Sequence, residues 1–452
     1  MRYSRCVVPV VFLLLLAFAC RKETPPEPPG PPPYLQSILL DTLSVDVTEV
    51  LLRVRAMDTT GAAAVALYRD SLLLFAGQPS LGDTTVLDTA LAPATLHNYR
   101  AYLLQDSLRV DSASLGVRTM DTSSHSFFFY IDTLGDGSSS LLRDVAIIDE
   151  NNVWAVGEVY LRDSIGQIDP SAYGFARWDG TSWRLFRLQA VGPTGLVSNL
   201  RPRGIFAFSA NDIWFASGGV FHWDGQNVTP YWINAFPGNP NPILDPGQTA
   251  EKLWGTSSSD LYAVGQQGAI AHFDGSSWRQ VLSGTTLPVN DIWGDTDPIS
   301  GEQIVLCIAS DTELLTGKLL LRIQDFAVTR MPETGLGQSL AGLWFLAGRR
   351  YFVVGEGLYT KRNVTDSTHW TSLQPGLTQY YMGKARGSGL SNIFVVGDYG
   401  SVLHFNGYSW QNFTSSTYLS DGFYVNVDIK RRFVVAVGLD NPRAVILRGY
   451  QQ

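Results

Sequence analysis

The sequence predicts an all-β chain: a β-sandwich over residues 34–120, then a seven-bladed β-propeller over 121–452, closed by a strand from its own N-terminal side. Three observations carry this. First, residues 251–281, EKLWGTSSSDLYAVGQQGAIAHFDGSSWRQV, fall into four short apolar runs divided by turn residues. An Asp-Gly pair such as Asp274-Gly275 between such runs favours a tight hairpin with both central residues at positive φ. Second, the second run of that unit recurs, as in Val153-Trp154-Ala155-Val156-Gly157 and Ile393-Phe394-Val395-Val396-Gly397. Its copies end at residues 157, 218, 265, 355, 397 and 438, and the apolar run 304–309 before Ser310 fills the one gap. Apart from a first step of 61 residues the spacing is 41 to 47, the period of a four-stranded blade that must stack on copies of itself to bury its faces. Third, the last unit has three runs only, whereas residues 126–131, SFFFYI, form a strong strand with no hairpin partner. Pairing the two completes blade seven and covers an edge.

Residues 1–20 come first. Arg2 and Arg5 precede an apolar run over 7–19, too short to span a bilayer and shaped like a secretory signal. The run ends Leu16-Ala17-Phe18-Ala19-Cys20 and resembles a bacterial lipobox, with Ala17 where that family usually has Leu. The resemblance implies that Cys20 becomes the acylated first residue of an exported, membrane-anchored protein of the cell envelope, at the outer membrane or cell surface. Residues 21–33 then form a linker whose segment TPPEPPGPPP has seven prolines in ten residues and stays extended. Of the other two cysteines, Cys6 lies in the leader and Cys307 stands alone in an apolar run, so a disulfide framework or cysteine metal cluster is not expected. A net charge of -8 argues against nucleic acid as a partner.

Within 34–120, seven strand-like runs in under ninety residues give the sandwich. The stretch Ala66-Leu67-Tyr68-Arg69-Asp70-Ser71-Leu72-Leu73-Leu74 resembles the middle hairpin of fibronectin type III domains. Leu91-Ala92-Pro93-Ala94-Thr95-Leu96-His97-Asn98-Tyr99 resembles their Leu-Pro-Thr-Tyr corner, two residues longer than usual, and the early tryptophan of that family is missing. The resemblance implies a spacer between anchor and propeller, with the Tyr99 hydroxyl pinning the chain as it enters a strand.

For the propeller, Trp178-Asp179 and Trp223-Asp224 resemble the WD40 pair without its Gly-His partner. The Asp-Gly-x-x-Trp units at 179–183 and 274–278 are similar to the sialidase Asp-box but lack the residue that box places between Asp and Gly. The closest resemblance is to tryptophan-rich propeller repeats of exported bacterial proteins, over about 320 residues. It implies no single activity.

Chemistry is sparse. His222, His272 and His404 hold one place in three repeats, and Arg177 the same place in another, which reads as a scaffold position rather than a metal site. No nucleophile elbow, zincin, P-loop or dinucleotide pattern occurs, so no catalytic residue and no cofactor are assigned. Loop length says more. Links from strand two to three, and from each blade to the next, emerge on one face, and there the segments 158–174, 187–202 and 232–250 are long. They bring Tyr160, Tyr173, Trp232 and Phe236 to that face. Arg143, Arg203, Lys252 and Asp291, at the starts of innermost strands, are expected to ring the channel mouth. Aromatics beside a mixed-charge rim suit a glycan or a protein ligand. The expectation is a non-catalytic recognition or scaffold protein anchored through Cys20. A carbohydrate-active hydrolase or lyase at the channel mouth, and an assembly factor for a membrane complex, stay open.

Overall fold

The computed structural model describes residues 38–57, 63–78, 83–136 and 139–452. The lipidation candidate Cys20 and the proline-rich linker lie outside the described residues.

All seven expected sandwich runs are strands: β1 (Ile38–Val45), β2 (Glu49–Ala56), β3 (Ala63–Arg69), β4 (Leu72–Gly77), β5 (Asp83–Thr89), β6 (Leu96–Gln105) and β7 (Leu108–Arg118). They form two antiparallel sheets, β1-β2-β5 and β4-β3-β6-β7. Alternation sends Val50, Leu52 and Val54 from one sheet, and Val65, Leu67, Ala101 and Leu103 from the other, into a shared core. Tyr99 is buried in that core, and its hydroxyl donates to Asp88 Oδ2 at 2.8 Å. Asp88 also takes Arg69 at 2.8 Å, so the tyrosine pins β6 through a side chain of β5.

Seven four-stranded antiparallel sheets follow in chain order, with first strands at Leu141–Asp149, Gly204–Ser209, Thr249–Ser257, Val289–Thr296, Leu340–Leu346, Met382–Gly389 and Gly422–Lys430. The seventh is completed by β8 (Phe127–Leu134), which pairs along Arg443–Gln451 from Phe127↔Gln451 to Leu134↔Ala444. The ring therefore closes as the sequence predicts, three residues beyond the expected end of the closing strand. Large side chains fill the spaces between neighbouring blades, as Trp154, Phe175 and Phe215 do between blades one and two.

Two local expectations need correction. The Asp-Gly turns have only their glycine in the left-handed region: Gly180, Gly225 and Gly275 lie at φ 96°, 97° and 90°, while the preceding Asp does not. Asp274 instead uses one carboxylate oxygen to accept the N–H groups of Ser276 and Ser277 at 2.9 and 2.8 Å. A side chain, not a second positive φ, makes these turns. The link 187–202, expected to be irregular, holds a small hairpin, Gln189–Val191 against Val197–Asn199.

The repeated histidines hold strands together. His222 and His272 meet Asp212 and Asp260, at the head of the preceding strand, at 2.9 and 2.7 Å. His404 meets Asn392 at 3.0 Å, and Arg177 meets Asn152 at 3.0 Å in the same geometry. His404 is fully buried and also lies 2.9 Å, Nδ1 to Nδ1, from His125. Burial, reinforced by His125, pushes its pKa down to about 3.

The sandwich docks on blades five and six. Glu49 at the start of β2 accepts from Arg349 at 3.1 and 3.2 Å and from Arg362 at 2.5 Å, with Arg350 at 3.7 Å. Ser44 also contacts Arg349. The Glu49 and Arg349 side chains are 2% and 4% exposed. Val47 would overlap any side chain added at Gly407, and Ser123 donates to the Ser391 carbonyl. Arg349, Ser391 and Gly407 all lie in links between strands one and two or three and four. The sandwich thus covers the face opposite the long loops. Because β1 runs from Ile38, paired with Ala56, to Val45 beside the joint, Ile38 is at its far end. Among the described residues no helix is long and apolar enough to cross a membrane.

Candidate functional site

The channel is lined by one equivalent residue of each innermost strand, the one directly after the bulge in six blades and the first paired residue in blade two. In blades one to three these are Asp144, Gly204 and Lys252, opposite Val156, Ala216 and Val264. In blades four to six they are Asp291, Gly342 and Lys384, opposite Ile308, Val354 and Val396. Asn426 is the seventh. The order Asp, Gly, Lys occurs twice.

Geometry explains the repetition. Lys252 Nζ reaches past blade two to Asp144 at 2.7 Å, and Lys384 Nζ reaches past blade five to Asp291 at 3.2 Å. Both lysines cross above a glycine. A Cβ at Gly204 would meet the Glu251 carbonyl at 2.4 Å, and one at Gly342 would lie 3.1 Å from the Lys384 Cα. Each carboxylate also accepts from the neighbouring blade: Asp144 takes the Ile205 N–H and Asp291 the Leu343 N–H, both at 3.0 Å. Arg386 adds a bidentate contact to Asp291 at 2.8 and 3.0 Å. Burial alone would raise the Asp291 carboxyl, but Arg386 and Lys384 more than reverse this and hold it well below the usual carboxylate range. Burial pulls the Lys384 ammonium down to about 8. These ion pairs form a belt across the channel.

Above the belt, on the long-loop face, lies a cavity of about 460 Å³ lined by Arg143, Arg203, Glu251, Lys252, Asn290 and Lys384 among others. A chamber of about 260 Å³ lies below it, bounded by Phe206, Trp254, Trp293 and Asp428. In the mouth, Arg203 pairs with Glu251 at 3.0 Å, and Glu251 accepts from Gln266 at 3.0 Å. Arg143 differs. Among the described residues its guanidinium has no ion pair or hydrogen bond, and its Nε is buried without a partner. Burial, and then the like charge of Arg203, lower its pKa. A half-buried guanidinium with a second beside it is an arrangement that an incoming anion or carbonyl oxygen would relieve.

Of the residues singled out in the sequence, Arg143, Arg203 and Lys252 line this mouth, although Lys252 is already held by Asp144. Asp291 does not: it is fully buried in the belt, tied to Arg386 and Lys384. Tyr173 lies under the Arg187 guanidinium, 3.9 Å from its ring centre, packed rather than presented. Trp232 does not line the cavity either. It packs edge-on to Phe221 and Phe236 and donates to the Val191 carbonyl at 3.2 Å, steadying the 189–199 hairpin. That hairpin exposes Val191, Leu196 and Val197, an apolar ledge on the face of the mouth. Asp144, Lys384 and Arg386 were missed. A signal existed: Asp144, Lys252, Gly342 and Lys384 each stand thirteen residues before the terminal glycines 157, 265, 355 and 397.

No protein-family model and no curated protein matches the chain. Solved structures do. One, described as YCF48 bound to D1 peptide, superposes with a TM-score of 0.51 at 15% identity, over 74% of this chain and all of the other. YCF48 from Cyanidioschyzon merolae gives a TM-score of 0.46 at 15% identity, over 71% of this chain and 98% of its own. At that identity the first likeness shows the fold: the ring of repeated four-stranded sheets is a β-propeller.

Proposed function

We propose that the chain is a lipid-anchored, non-catalytic recognition or scaffold protein of the cell envelope, which holds a protein segment against the channel mouth. One observation carries this reading: Arg143 is half-buried and unpaired, beside Arg203, in a cavity on the face turned away from the docked sandwich. The apolar ledge by Trp232 would take side chains flanking the group held by the arginines. Support for a protein ligand over a glycan comes from the structural neighbour, itself bound to a peptide. An assembly role for a membrane complex would use the same face. We read the sandwich as a fibronectin type III domain, on its sheet order and its tyrosine corner, and Cys20 as the acylated anchor. With Ile38 at the pole opposite the mouth, such a stalk would aim the mouth away from its membrane.

Hydrolysis is less well supported. A glycosidase needs two carboxyls about 5–10 Å apart. Asp144, Asp291 and Glu251 are each engaged by cations, which leaves Asp398 on the rim, its pKa raised by burial. Screening the chain against peptide and glycan arrays tests the proposal. Carboxylate-rich or C-terminal peptides should bind, and an R143A/R203A/W232A variant should lose them. Glycans as the sole hits would replace the protein ligand, and unchanged binding by the variant would discard the face.

A further inference from the structure

The seven outer strands of the ring are not alike. In blades one to six they are Trp183–Phe186, Val228–Tyr231, Trp278–Gln280, Ala327–Arg330, Thr371–Ser372 and Trp410–Asn412, none longer than four residues. Four of them carry an arginine or a proline: Arg184, Pro230, Arg279 and Arg330. Shortness, basic side chains and proline are the usual guards of a free sheet edge. The outer strand of blade seven has none of them. β8 is eight residues long, Phe-Phe-Phe-Tyr-Ile-Asp-Thr-Leu, and pairs along one side only. Its single charge, Asp132, is tied inward by Arg448 at 2.6 Å and the Trp183 indole at 3.0 Å. Phe128 and Tyr130 are 58% and 53% exposed.

We propose that this edge is an interface, and that its occupant is a second copy of the chain, the two β8 strands pairing antiparallel about a two-fold axis. The strand is complementary to itself. A register centred on Phe129 sets Phe128 of each copy opposite Tyr130 of the other, two cross-strand aromatic pairs on one face, with Phe127 opposite Ile131. Antiparallel partners must share a face, so the neighbouring symmetric registers are centred on Phe128, which pairs only residues 127–129 of the strand, and on Tyr130, which sets Phe128 against Asp132. The register on Phe129 wins because it pairs more of the strand than the one on Phe128 and, unlike the one on Tyr130, leaves Asp132 with Arg448. Sheet twist makes the geometry useful. Three inter-strand steps of roughly 20–25° turn β8 well away from the innermost strand, which runs along the channel. The two-fold normal to the sheet at β8 therefore lies nearer the channel axis than across it, and both mouths face the same side. Two copies on one surface can then present paired binding sites. In this register residues 127–131 of the two copies pair, five residues spanning about 17 Å, a small contact, so the association is reversible and concentration-dependent.

Sedimentation velocity of the purified chain from about 5 to about 500 µM tests this. The sedimentation coefficient should rise toward that of a dimer, and an F128K variant should stay monomeric with an unchanged melting temperature, since Phe128 is exposed and Tyr130, packed on Tyr450 and Arg448, is kept. A parent that is monomeric throughout, or a variant that dimerises equally, overturns the proposal. Oxidising an F128C/Y130C variant fixes the register: a disulfide joining position 128 of one copy to 130 of the other is expected. Disulfides joining copies only at other positions would exclude the pairing.

Discussion

Two clusters of arginine sit on opposite faces of the propeller and have opposite fates. At the joint, Arg349, Arg350 and Arg362 converge on Glu49, a carboxylate supplied by the sandwich. In the mouth, Arg203 has Glu251, and Arg143 makes no hydrogen bond or ion pair within the described residues, feeling Glu158 and Glu251 only from a distance. The joint is finished within the chain: Glu49 and Arg349 are desolvated together and Arg350 and Arg362 share the same carboxylate, so removing Glu49 strands a buried guanidinium. The mouth is unfinished, since a guanidinium partly withdrawn from water with no acceptor costs stability that a ligand can return. The same residue type is structural on one face and available on the other.

Substitutions can break this contrast, the belt between the two faces giving the largest effect. Asp291→Asn would leave Arg386 and Lys384 facing a neutral amide in a fully buried site, and should cost about 5 kcal/mol in denaturant unfolding. At the joint, Glu49→Gln should cost about 3 kcal/mol and split unfolding into separate sandwich and propeller transitions. An unchanged single transition would mean that the joint is decorative.

A smaller effect concerns the link between the domains. The folded-state value of His404 near 3 lies below the ordinary 6.5, so between those pH values the unfolded chain binds a proton that the folded chain refuses. Stability should therefore fall as pH drops through that window, by about 2 kcal/mol at pH 5 from this residue. His404→Phe should flatten the slope relative to the parent; equal slopes would remove His404 from the pH response.

How far these regions could be read from the chain follows from the physics of each. Period and turn chemistry are local, so the blades, the sandwich strands and the closure by Phe127 onward were visible, and Phe127 does pair with Gln451. Arg143 and Arg203 were legible as mouth residues because strand starts on one face converge at a channel. Asp291 misled because it holds the same slot as Lys252, after an equivalent bulge, yet its short side chain is closed over by Lys384 and Arg386 from blade six. The Asp144–Lys252 crossing spans 108 residues and depends on a glycine in the blade between, a relation among three repeats that no single window contains. The Glu49 joint joins residues 300 apart and had no sequence signal.

The contrast between the two clusters is tested most directly by unfolding two single variants side by side in denaturant. Arg349→Ala should lose about 3 kcal/mol or more, and Arg143→Ala should lie within about 0.5 kcal/mol of the parent or above it. If Arg143→Ala proves as damaging as Arg349→Ala, the mouth arginine belongs to the scaffold and the proposed binding face goes with it.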